Sequence, residues 1–106
     1  MSWQITQEGI ANVVVLDGEM GIQDAANFHQ AVLPLAGGDR AVRLDASAAK
    51  SIHTSIMQIL YALSQAVPDF GVTGASEDFR AVEARTGLSL ARSKEAETPT
   101  DQSGPA

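Results

Sequence analysis

The chain has no cysteine. That excludes disulfides, thiolate catalysis and cysteine-rich zinc sites together, and it suits a reducing compartment. Basic residues are few, seven Lys and Arg against thirteen Asp and Glu, for a formal charge of −6. A nucleic-acid ligand needs cations that displace counterions from its phosphates, so this balance argues against DNA or RNA. The acidic surplus serves solubility and would favour a basic partner protein. No apolar run is long enough to cross a bilayer. The opening Met1-Ser2-Trp3-Gln4 lacks the basic and apolar regions of a signal peptide. The expectation is a soluble, cytoplasmic protein without membrane insertion. Neither a GxGxxG fingerprint nor a Walker-type loop occurs, which leaves nucleotide binding without support. Gly37-Gly38 stands between a helix and a strand, the wrong order for a phosphate loop.

What is present fits one domain. The 106 residues, 44% of them apolar, allow one modest core. Trp3 and Ile5 alternate with polar neighbours as in a half-buried strand. Gly9 allows a turn into Val13-Val14-Val15-Leu16, whose β-branched run favours a buried strand that pairs with the first as a hairpin. Asp17-Gly18 is expected to end it. Asp24 then caps a helix carrying Ala25, Phe28, Val32 and Leu35 at helical spacing. Pro34 should stop or kink that helix.

Ala41-Val42-Arg43-Leu44-Asp45 reads as a third strand with Asp45 at its carboxyl end. A second helix over 54–67 places Ile56, Ile59, Leu60, Leu63 and Val67 on one stripe, and Pro68 stops it. Phe70-Gly71-Val72 is a fourth strand. Ser76 caps a third helix with Glu77 and Asp78 in its first turn and Phe79 and Val82 inward. Gly87 followed by Leu88 has the form of a left-handed cap with a hydrophobic contact behind it. The order β-β-α-β-α-β-α predicts an α/β fold, a mixed sheet of four or slightly more strands with helices packed on it and right-handed crossovers between parallel strands. The domain spans 1–92. The tail 93–106 has no apolar residue larger than Ala and is expected to be disordered.

The stretch 42–63 resembles the core motif of the STAS family, the sulfate-transporter and anti-sigma-factor-antagonist domain. In that motif a strand ending in Asp leads through a short loop to an Asp, a hydroxyl residue, a small residue, a Gly and a hydrophobic residue that open a helix. Here those places hold His53, Thr54, Ser55, Ile56 and Met57, so His replaces the motif Asp and Ile replaces the motif Gly. Gln58-Ile59-Leu60 resembles the family's Gln-Leu-Leu. Leu16-Asp17-Gly18-Glu19-Met20 with Gln23-Asp24-Ala25-Ala26, then Val72-Thr73-Gly74-Ala75-Ser76 and Thr86-Gly87-Leu88, match in kind. The resemblance covers about 3–90. It implies a protein-interaction module in bacterial signalling, similar to anti-sigma-factor antagonists and chemotaxis-linked members. The implied partner is an anti-sigma factor with serine-kinase activity or another signalling protein. The alternative is a small subunit of a phospholipid-transport ABC transporter that binds its ATPase. The resemblance places the phosphoacceptor at Thr54, with Ser55 beside it.

The residue types agree with such a surface. A hydroxyl at a helix start serves as an N-cap, and the free amides there also stabilise a phosphate, so Thr54 is expected to cap the second helix. Asp45, His53, Thr54, Ser55, Met57, Gln58 and Tyr61 are the candidate partner-binding residues. Met57 and Tyr61, four apart, form a small adaptable surface or else widen the core stripe. His29 and His53, the only histidines, lack a second ligand at metal-binding spacing. His53 next to Thr54 and Ser55 has no visible third member or oxyanion hole. No enzyme activity, metal or cofactor is expected.

Overall fold

The computed structural model describes residues 3–90; the expected tail at 93–106 lies outside them. Strand β1 (Trp3–Glu8) pairs antiparallel with β2 (Ala11–Met20). A short 3₁₀ turn (Ile22–Asp24) leads into helix α1 (Ala25–Ala36). Strand β3 (Ala41–Ile52), helix α2 (Thr54–Ala66), strand β4 (Phe70–Ala75) and helix α3 (Glu77–Thr86) complete the domain. The sheet order is β1-β2-β3-β4, with β2, β3 and β4 parallel. This is the mixed four-stranded α/β architecture that the alternation of elements predicts.

Alternation along β2 buries Asn12, Val14 and Leu16 and leaves Val13 and Val15 half-buried. On β3, Val42, Leu44 and Ala46 turn the same way. These side chains meet Phe28 and Val32 of α1, Ile56, Leu60 and Leu63 of α2, and Phe79 and Val82 of α3 in one core. Trp3 closes it at the β1 edge, its ring 5.5 Å from that of Phe28 in an edge-to-face arrangement, the geometry aromatic quadrupoles favour.

Three sequence expectations need correction. Asp17-Gly18 does not end β2. Register shifts between Val15 and Asp17 and between Gly18 and Glu19 let the strand bend while its pairing with β3 continues, as bulges do. Gly18, at φ +86°, supplies the left-handed conformation that this irregularity needs. Consequently β3 also runs beyond Asp45 to Ile52. Pro34 does not stop α1, which continues to Ala36. The lost amide would have bonded the carbonyl of Gln30, an exposed residue that water can serve, and burial of Val32 and packing of Leu35 hold the last turn. Asp24 stands at the N-cap place of α1, but its side chain makes no capping hydrogen bond there. It ends the 3₁₀ turn, and its Oδ2 accepts a hydrogen bond from the Gly21 amide at 2.9 Å.

The third helix agrees with its sequence. Ser76 Oγ accepts from the Phe79 amide at 3.0 Å and donates to the Ala49 carbonyl at 2.7 Å. Gly87 closes the helix in the left-handed conformation, φ +75°, and Leu88 packs on the core behind it. Ser76→Ala removes the cap and the tie to β3 together. It is expected to cost about 1–2 kcal/mol, the upper part of the range for cap loss, measured by urea denaturation.

Candidate functional site

The bulged second halves of β2 and β3 continue as a pair beyond their junction with β4: Asp17 pairs with Ala48, Glu19 with Ser51 and Met20 with Ile52. At their carboxyl ends β2 passes into the 3₁₀ turn and β3 into α2. The His53 amide bonds the Met20 carbonyl at 2.9 Å, which fixes the two exits side by side.

His53, and not Thr54, is the N-cap of α2. Its backbone is extended, φ −69° and ψ 150°, and its carbonyl accepts from the Ile56 amide at 3.0 Å. Its Nδ1 accepts from the Ser55 amide at 3.0 Å and lies 2.9 Å from Ser55 Oγ. The imidazole thus does the work that a motif Asp would do, since a ring nitrogen with a free lone pair can accept an orphan amide as a carboxylate does. That backbone bond assigns the proton of the neutral ring to Nε2, leaving Nδ1 as the acceptor. The contact between His53 and Ser55 therefore belongs to the helix cap, and among the described residues no third group bonds Nε2. Thr54 becomes the first helical residue. Its side chain is exposed and its hydroxyl makes no hydrogen bond among the described residues.

The other candidates separate. Ser55 is half-buried and Gln58 exposed on the side of α2 toward α1. Met57 is fully buried in the core. At 100° per residue it stands about 60° beyond Leu60, outside the arc of Ile56, Leu60 and Leu63, so the apolar stripe is wider than the one the sequence suggests. Tyr61 is 36% exposed and stands without Met57 beside it on the surface. Of the two roles the sequence leaves open, Met57 takes the core one, and Tyr61 stands on the surface without it. The motif's glycine place holds Ile56, which is also fully buried.

Asp45 does not join this group. It lies on the sheet face away from the core, where its Oδ1 accepts from the amide and hydroxyl of Ser47 at 3.0 and 2.6 Å. That face forms an open depression of about 460 Å³ lined by Val13, Val15, Arg43 and Thr73 among others. At its rim Arg43 pairs with Asp69 at 3.1 Å, an exposed bridge of small energetic weight.

Two concavities flank the entrance to α1 and α2. A groove of about 440 Å³ runs between the helices, with Ala25, Ala26 and His29 on one wall and Ser55, Gln58, Ile59 and Ala62 on the other. A polar cleft of about 530 Å³ on the other side of the 3₁₀ turn is lined by Glu19, Met20, Gly21, Gln23, Asp24 and Ser51. Sequence reasoning named Ser55 and Gln58 but missed the α1 wall, whose alanines and histidine carry no signal beyond helical spacing. Among the described residues no group of three or more His, Asp or Glu converges for a metal ion, and no helix is long and apolar enough to cross a membrane.

The family model described as "Mlab, STAS domain" matches residues 3–90, every described residue of the chain. The chain belongs to the STAS domain family. The crystal structure of an anti-sigma factor antagonist from Mycobacterium paratuberculosis is similar in fold, with a TM-score of 0.74 at 23% identity. That match covers 91% of this chain and 90% of the other. A second solved structure, Mglu, matches with a TM-score of 0.54 at 20% identity over 65% of this chain and 18% of that one. Comparison with curated proteins finds no match. At these identities the solved structures speak for the fold alone.

Proposed function

We propose that this STAS domain is a non-enzymatic protein-interaction module of bacterial cytoplasmic signalling that docks its partner on the start of α2. The partner is a kinase-like anti-sigma factor or another signalling protein, and phosphorylation of Thr54 is the switch. The observation that carries this reading is the exposed, unbonded Thr54 hydroxyl in the first turn of α2. His53 supplies the cap, so Thr54 is released from structural duty. A phosphate there adds about −1.5 to −2 charges beside the positive end of the helix dipole, which tolerates it in the free domain. Inside a docked interface the same group is a bulky, strongly hydrated anion and opposes binding.

A second reading follows from His53 itself. With an imidazole where the family motif has a carboxylate, the surface also suits a partner bound constitutively, such as the ATPase of a phospholipid transporter.

The test is co-purification of the full chain with its partner from the native host, followed by affinity measurement on variants. Thr54→Glu is expected to weaken binding without loss of fold, because Glu is favourable in a first helical turn. Thr54→Ala is expected to bind as wild type and to change stability by less than about 0.5 kcal/mol, as an exposed site does. Equal affinity of Thr54→Glu and wild type would remove the switch and leave the constitutive reading. Mass spectrometry of the chain after incubation with a co-purified kinase distinguishes Thr54 from Ser55 as the acceptor.

A further inference from the structure

The groove between α1 and α2 and the acidic cleft beside it meet at the 3₁₀ turn, which packs against both helices. Ile22 stands on that turn with 63% of its surface exposed. The groove beside the turn is walled mainly by small and apolar side chains, Ala25, Ala26, Ile59 and Ala62, and is open for another chain to cover. Its backbone offers no strand edge, because both walls are helices whose amides are already bonded. Pairing by strand addition is excluded there, and a helix laid along the groove is the remaining regular shape. Ser55, Gln58, Ile59 and Ala62 recur at the spacing of one helix face, which gives the ridge against which such a helix packs. The small side chains of Ala25, Ala26 and Ala62 let its backbone approach closely.

Charge decides its composition. Glu19 is exposed, and Asp24 is held in place by the Gly21 amide on one oxygen. Both line the cleft at the end of the groove, on a chain of formal charge −6. We propose that the α1–α2 groove and the Glu19–Asp24 cleft together seat an amphipathic, basic helix of the partner protein. Its apolar residues rest on Ala26 and Ile59 and its cations face Glu19 and Asp24. The proposal rests on the interaction-module reading above and adds a second wall, on α1 and the 3₁₀ turn, to the surface at the start of α2.

Photo-crosslinking in the native host tests it, with a benzophenone amino acid placed in the full chain at Ala26, at Thr54 or at Val15 on the far face of the sheet. The expected result is a crosslink from Ala26 whose attached partner peptide is amphipathic and carries Lys or Arg. In the double variant Glu19→Lys, Asp24→Asn the yield at Ala26 should fall about tenfold at low salt, as for charge pairs that steer an interface. Asn keeps an oxygen for the Gly21 amide, and an unchanged circular-dichroism melting curve will show that the fold survives. Crosslinks from Thr54 with none from Ala26 would overturn the helix groove and leave the proposed function standing. An acidic peptide at Ala26, or a yield indifferent to the double variant, would also overturn it. Crosslinks from Val15 alone, or from no position, would overturn both readings.

Discussion

Phe28→Ala is expected to destabilise the domain by about 3–5 kcal/mol, the range for emptying an aromatic site in a packed core. Phe28 is fully buried and receives the edge-to-face contact of Trp3. Trp3 is only half-buried and belongs to the edge strand β1. The substitution therefore leaves a cavity and frees the indole that pins the edge of the sheet. Small domains have total stabilities of about 5–15 kcal/mol, so the loss brings the chain close to unfolding at ordinary temperature. Urea denaturation of the full chain measures it. A cost below about 1 kcal/mol would mean that α1 does not pack on the sheet through Phe28, because surface-like sites behave that way.

Met57→Ala is the second large effect, expected at about 2–5 kcal/mol. It separates two roles that the sequence leaves open. A Met on a docking surface would lose partner affinity on truncation and leave stability nearly intact. The fully buried Met57 should do the opposite, with stability lost and the surface composition unchanged. Tyr61→Ala serves as the contrast, because a side chain 36% exposed gives up less packing. If Met57→Ala melts like wild type, the inward face of α2 is wrongly assigned.

Much of the fold was legible because its signals are local. The Val13–Val15 run, the stripe from Ile56 through Leu63, the Ser76 cap and the Gly87 terminus each follow from backbone chemistry within a few residues. What failed depends on distant partners. Nothing near Asp17-Gly18 in the sequence shows that β3 will continue beside β2, so the bulged extension that carries the site was not visible. Pro34 breaks a local rule, and tertiary burial of its neighbours overrides it.

At the site, the motif spacing located the start of α2 correctly, but a hydroxyl is the usual cap and the rule therefore chose Thr54. That an imidazole takes the role depends on the orientation of the His53 ring, which no pattern encodes. Asp45 reads from the sequence as the end of its strand, and so as part of the site. Since β3 continues to Ile52, Asp45 stands instead in mid-strand on the opposite face.

The central claim is that a partner protein docks on the start of α2. Hydrogen–deuterium exchange of the full chain, alone and with its co-purified partner, measures this directly. The account predicts slower exchange on binding at the start of α2, from Thr54 to Gln58, and no change in β2 around Val13 and Val15. Protection confined to the β2 face, with the start of α2 exchanging as in the free chain, would contradict it.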